Sequence, residues 1–343
     1  MKQESLHEVA RSTERVAALD AAKAVAIFCV VLGHVIQWTF SGDAYKEDGL
    51  FAFIYSFHMP LFAMVSGYCV GHSLNQPVGR FVGRRAMQLL LPVVSFAVVY
   101  LCACFAVSGW PANVWQWVGS YLAGGDLWFL KYLFADLCIV YFSRRLLRHD
   151  GWAVLPSALL FCLTRSGVFR LLPYVWAGYF LYKHRTWVQV HVRVVALASG
   201  IAFAALLCCW RGEYDAPLRF VWLTPTLRVD AANTWAVFIR LGVGLAGSLF
   251  VLSLLSLLED SLQRGRCGRL TGVLGRQTLG IYALQLYLLE HGLTEHVPLT
   301  LSGLWMRPLQ VALAVAVTIV CFGLATLLRT HRWTALLFLG QHH

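Results

Sequence analysis

Charge is what this chain has least of. Asp, Glu, Lys and Arg make up 13% of its 343 residues and hydrophobic residues 59%, too little polar surface to cover a soluble globule of that length. A mean hydropathy of +0.64 says the same. The class that remains is a polytopic membrane protein. Acidic residues are scarcer than basic ones, 17 against 28, for a formal net charge of +11. Such an excess would suit nucleic acid if the cations formed a patch. They are scattered through short connectors instead, so nucleic acid is not an expected partner. No internal repeat, low-complexity tract or soluble domain is present. There is no metal-ligand spacing and no disulfide framework either. Nine of the ten cysteines lie inside apolar runs, as small buried hydrophobes do, and only Cys267 lies in a connector.

Ten apolar segments are present, at approximately 19–40, 50–71, 86–107, 127–142, 152–164, 169–182, 194–210, 238–258, 279–291 and 309–328. The fifth, sixth and ninth fall short of the ~20 residues of an upright span. With the N-terminus in the cytoplasm, the basic connectors fall on one side: Arg11 and Arg15, Arg80 to Arg85, Arg144 to Arg148, Lys183 and Arg185, Arg264 to Arg276, Arg329 and Arg332. The other side is sparse in cations and partly balanced by acids, which predicts an all-α helical bundle of about ten spans with both termini cytoplasmic. The implied division is a cytoplasmic N-terminal segment at 1–18, a membrane domain at 19–328 and a cytoplasmic tail at 329–343. A basic start before an apolar run loosely imitates a signal peptide, but a run that carries Lys23 and His34 is expected to stay as an uncleaved anchor. The longest connector, 211–237, contains Pro217 and Pro225 and reads as an extracytoplasmic loop or short lid.

The first segment keeps two ionisable groups that a purely structural span does not need, Lys23 and His34. Eleven positions apart, they lie on one helical stripe, separated by roughly 16 Å along the axis. Either alone is equally well a buried, hydrogen-bonded contact; the pair, with Asp20 one turn before Lys23, points to one cavity. In the second segment His58 stands two residues before Pro60. At ~1.5 Å per residue His34 lies about 9 Å, and His58 about 12 Å, from the outer ends of their spans, so the two histidines are placed to flank one site. The competing reading is that His58 satisfies backbone near a proline kink. Arg80, Arg84 and Arg85 at the inner mouth of the third span are either positive-inside anchors or a grip on phosphate, with Lys23 at similar depth. Lys131 and Asp136 point in different directions and are expected to meet partners on other spans. Trp128 reads as an interfacial anchor, Gln285 as a structural hydrogen-bonding amide, and Glu290 and His291 as residues that reach the outer surface.

These pieces resemble the acyltransferase-3 family of integral membrane O-acyltransferases, which includes fucose 4-O-acetylase-like and polysaccharide acetyltransferase members. The resemblance covers nearly the whole chain. It is carried by LDAAKAVAIFCVVLGH (19–34), FHMPLFAMVSGY (57–68), RFVGRRAMQLLLP (80–92), LWFLKYLF (127–134) and LGIYALQLYL (279–288). The family's basic residue and essential histidine of the first span match Lys23 and His34, with Lys in place of the commoner Arg. Its late G-I-Y motif usually continues to a histidine where this chain has Gln285, which argues against a catalytic Gln285. The resemblance implies an acyl-CoA donor, usually acetyl-CoA, a sugar hydroxyl acceptor in a glycan or lipid-linked precursor, and a bacterial inner membrane. The anionic donor head would sit near Lys23, Arg84 and Arg85, and its pantetheine arm, on the order of 15 Å, would carry the thioester to His34. His34 is then a general base or a transient acyl carrier, and His58 orients it or the acceptor. A transporter or flippase of a glycolipid or small solute would also use intramembrane ions and proline-bent helices, and is the alternative.

Overall fold

In the computed structural model, residues 17–108, 113–123, 125–147, 149–163, 167–210, 231–294, 297 and 299–341 are described. They are helical almost throughout, with no strand among the described residues, as the all-α expectation requires. The first helix, α1, is Ala17–Thr39. Its alanine-rich first half has the highest intrinsic helix propensity, and both of its ends are pinned by distant side chains. The amides of Ala17 and Ala18 donate to the Glu259 carboxylate at 2.7 and 2.8 Å, which satisfies two orphan donors and sets a negative charge against the helix N-terminus. At the other end the Trp38 indole donates to the Val297 carbonyl at 2.8 Å, and Gln310 donates to the buried Thr39 hydroxyl at 2.8 Å.

The chain continues through α2 (Gly49–Gly71), α3 (Val78–Ser108), α4 (Val114–Ala123), α5 (Trp128–Leu146), α6 (Asp150–Leu163) and, after a 3-10 turn at Gly167–Leu171, α7 (Leu172–Lys183). Then follow α8 (Arg185–Val190), α9 (Val192–Cys209), α10 (Ala231–Leu257), α11 (Glu259–Arg264), α12 (Arg266–Arg276) and α13 (Thr278–Leu286). A π-helical stretch at Tyr287–Thr294 precedes α14 (Met306–Arg329) and α15 (Arg332–Leu339). α1 is the hub: it packs on α2, α10, α11, α12, α13, α14 and the π-helical stretch. Of its most apolar window 67% is buried, against 22% for α3, 17% for α9 and 28% for α14, so those three are the outer staves. Leu309, Val311, Val315, Ile319, Leu324 and Leu327 on α14 all face outward, a stripe that only hydrocarbon can cover without cost.

Among the described residues six helices are long and apolar enough to cross a membrane: Ala17–Thr39, Gly49–Gly71, Val78–Ala106, Val192–Cys209, Thr234–Leu257 and Met306–Arg329. The other four expected spans take other forms. α5 is 19 residues long but contains Lys131, Asp136, Arg144 and Arg145; α6 and α7 have 14 and 12 residues; and the segment at 279–291 divides between α13 and the π-helical stretch. Residues 211–230 of the expected long connector lie outside the described residues, and α10 begins at Ala231, inside the span assigned to that connector. The expected tail at 329–343 contains α15, which packs along α3, with Phe338 edge-on to Phe96 at 5.2 Å.

α2 pairs with α7 more extensively than any other two helices do among the described residues. Glycines explain it. A Cβ added at Gly67 would overlap the Val175 carbonyl, and one added at Gly178 would overlap the Met64 carbonyl, so each helix offers the other a bare backbone. This close approach fixes α2 against α7, while the other helices packed on α2 include α1.

Candidate active site

Three cavities are bordered by α1 or α2, and two of them share Met59 of α2. The innermost, about 150 Å³, is bordered by Lys23 at one edge and Met59 of α2 at another. Its walls are Phe62 and Val65 of α2, Leu89 of α3, Phe129, Leu130 and Leu133 of α5, and Leu279 and Tyr282 of α13. Ser66 and Thr278 also line it, and a cation on a mainly apolar passage suits a slender molecule with an anionic head. Lys23 is 3.6 Å from Asp20, one turn before it on α1, and its side chain keeps 29% of its surface exposed.

Met59 also lines the second cavity, a chamber of about 130 Å³ that contains His58, Tyr55, Trp128, Arg170, Tyr174 and Arg240. His58 is 3% exposed, and its Nδ1 lies 2.7 Å from the Ile54 carbonyl. A carbonyl only accepts, so Nδ1 carries the proton and Nε2 is left as an acceptor. Pro60 removes the donor that would serve the carbonyl of residue 56, so the group His58 satisfies is not the one the proline frees. Trp128, expected as an interfacial anchor, faces this chamber with the Arg170 guanidinium over its ring at 5.9 Å. The preceding Leu127 is fully buried with φ at 55°. A left-handed leucine costs on the order of 1–3 kcal/mol and persists only where its surroundings enforce it; here it sets the angle at which α5 presents Trp128.

The third and outermost cavity, about 540 Å³, holds His34 with Gln37, Ser41, Tyr45, Glu290 and Thr300. His34 Nδ1 lies 2.9 Å from Glu290 Oε1, with the two side chains 17% and 42% exposed. A carboxylate on Nδ1 holds the proton there and turns Nε2 outward as an acceptor, which is how an imidazole is prepared to take a proton from a substrate. The wide turn at Tyr287–Thr294 makes this contact possible. It directs Glu290 at His34 while its neighbour His291 reaches Asp126, 2.8 Å from Nε2. Tyr55 forms the partition between the second and third cavities. Its ring is edge-on to His58 at 4.7 Å, its hydroxyl donates to Gln37 at 3.4 Å, and its edge occupies the space where a side chain on Gly33 would stand.

His34 and His58 are therefore near enough for their charges to interact, yet they line different cavities with Tyr55 between them. Arg84 is exposed and Arg85 half-buried; neither lines the Lys23 cavity, although Leu89, one turn beyond Arg85, does. Arg85 donates to Gln88 at 3.1 Å and lies over the Phe81 ring at 5.7 Å. Lys131 and Asp136 do not meet: Lys131 donates to the carbonyls of Tyr121 and Gly125 in and after α4, and the carboxylate of Asp136, 0% exposed, has no hydrogen-bond partner among the described residues. Gln285 donates to the Tyr282 carbonyl of its own helix at 3.3 Å and not to another span. The roles of Glu290, Tyr55, Arg170 and Arg240 were not evident in the sequence. The signal for Glu290 was a carboxylate at the outer end of an apolar run, level with His34.

A membrane helical bundle with an oriented histidine beyond an apolar passage has the plan of an intramembrane transferase. Residues 16–327 match the family model described as an acyltransferase domain, and the chain belongs to that family, acyltransferase-3. It is a membrane acyltransferase by class. It is 32% identical over 151 residues to the nodulation protein NolL of Sinorhizobium fredii, a stretch that spans 42% of this chain and 41% of that protein. It is 27% identical over 298 residues to the nodulation protein NolL of Mesorhizobium japonicum, across 80% of this chain and 77% of that protein.

Proposed function

We propose that the protein transfers an acyl group, acetyl in the first instance, from acyl-CoA to a sugar hydroxyl of a cell-envelope or exported glycan or its lipid-linked precursor, in a bacterial inner membrane. The observation that carries the proposal is the His34–Glu290 pair at 2.9 Å in a cavity at the outer end of α1, with a separate cavity at Lys23 near the start of the same helix. The donor's phosphates would be held at the inner mouth by Lys23, with Arg85 and Arg84 one turn and more below the cavity wall. The pantetheine arm would lie in the apolar passage. His34 Nε2 would take the proton of the acceptor hydroxyl, and that oxygen would attack the thioester carbonyl. The carbon–sulfur bond then breaks, and the CoA thiolate leaves with the proton returned by the imidazolium. His58, with its acceptor nitrogen facing the middle chamber, would orient the acceptor.

Membrane vesicles carrying wild type, His34→Ala or Lys23→Ala, given labelled acetyl-CoA on the cytoplasmic face, test this. Label is expected in glycan with wild type. His34→Ala should lower the rate on the order of 10²- to 10⁴-fold with the protein still inserted, and Lys23→Ala should raise the donor concentration required. Acetyl-CoA that is neither bound nor consumed by wild type, with glycolipid or solute still moving across the membrane, would replace this reading with transport.

A further inference from the structure

The middle chamber holds more positive charge than proton transfer needs. Arg170 comes from the 3-10 turn before α7, Arg240 from α10 and His58 from α2, so three separate elements direct a basic group into one cavity of about 130 Å³. Among the described residues that line it there is no aspartate or glutamate. Charged side chains in the interior of a membrane bundle are costly and mark the path of a polar ligand. The guanidinium is a planar fork of five donors, matched to the paired oxygens of a phosphate or carboxylate, and has capacity for one alongside its other partners. Trp128 lies under the Arg170 guanidinium at 5.9 Å, and the Tyr174 hydroxyl fixes the backbone of Arg240 by donating to its carbonyl at 3.1 Å.

We infer that this chamber binds an oxyanion of the acceptor, a sugar phosphate or a uronate carboxylate, and so selects anionic over neutral glycans. The inference rests on the acyl-transfer reading for its site and adds the class of acceptor. The donor's phosphates do not compete for the role. They would have to cross the apolar passage walled by Phe62, Val65, Leu130 and Leu133 to reach it. An anion anchored beside His58 lies one side chain, Tyr55, away from the His34 cavity, so the sugar that carries it is delivered toward His34 Nε2.

Full-length protein in nanodiscs, titrated with glucose 1-phosphate, glucuronic acid and glucose, tests the inference by heat of binding. Either anion, or both, is expected to bind and glucose is not; the anion that binds identifies the source. Arg170→Gln and Arg240→Gln should each weaken the anion by about tenfold or more. Arg240→Lys should recover part of the loss, and His34→Ala should leave binding intact. Equal binding of glucose and the anions, or Arg→Gln variants that fold and bind as wild type, would overturn it. Acetyl-CoA consumption by the same samples keeps the two readings apart. Arginine-dependent anion binding without donor consumption would leave the site and remove the transferase. Transfer to neutral glycan, unaffected by Arg→Gln, would leave the transferase and remove the anion site.

Discussion

A histidine in a span is better prepared to act as a base when something fixes its tautomer, and at His34 one carboxylate is placed to do so. The Glu290 side chain is 42% exposed, and the contact that singles it out is the one to His34 at 2.9 Å. Glu290→Gln keeps the shape but can present either amide atom to Nδ1, and so no longer selects the tautomer. The turnover number is expected to fall on the order of 10²-fold with KM for acyl-CoA little changed, because the donor is held at the Lys23 end. A large rise in KM with unchanged turnover would assign Glu290 to binding. Lys23 and His34 were legible in the sequence because a charged residue in an apolar run is its own signal. Glu290 was not, because it joins His34 only through folding and through a π-helical turn that no local pattern announced. His58 was legible as a candidate, but its bond to Ile54 and not to the proline-freed carbonyl was not.

Helices carry these side chains, and their close approaches set the tolerances. At the α2–α7 contact, Gly67 and Gly178 let two backbones touch, and a methyl group on either would press on a carbonyl that cannot swing aside. Gly67→Ala is therefore expected to cost about 1–3 kcal/mol, read as a lower thermal midpoint in detergent, and to loosen the chamber that His58 and Tyr174 share. An unchanged midpoint would show that the helices separate without loss. The long apolar helices were readable from composition, since 20 or so apolar residues leave few alternatives. α6, α7 and α13 were harder, because a short apolar run in a bundle interior satisfies packing without matching the bilayer. Leu127 was invisible for a different reason: nothing in GGDLW shows that a leucine will adopt φ of 55°.

At the scale of the molecule, α1 is enclosed while α3, α9 and α14 face outward, and connector charge orients the whole. The expected arrangement puts Ser41, after α1, outside and Cys267, on α12, inside. Both are exposed. In intact cells a membrane-impermeant thiol reagent should label Ser41→Cys in a background without other cysteines, and should reach Cys267 only after permeabilisation. The reverse pattern would invert the orientation. Connector charges are informative about sidedness because they act during insertion, whereas the three cavities depend on which helices later become neighbours.

The hub helix also comes before every other described helix in the chain. Ala17 is tied to Glu259, 242 residues on, and Trp38 to Val297, 259 residues on, while the partner of His34 lies in the same late stretch. α1 must therefore wait in the bilayer, without Glu259, Val297 and Glu290, until the last third of the chain emerges from the ribosome. A nascent or truncated chain carries the histidine without the carboxylate that orients it. Formation of this contact thus depends on synthesis reaching the 287–294 stretch, and a chain that stops earlier keeps a polar helix without its late partners.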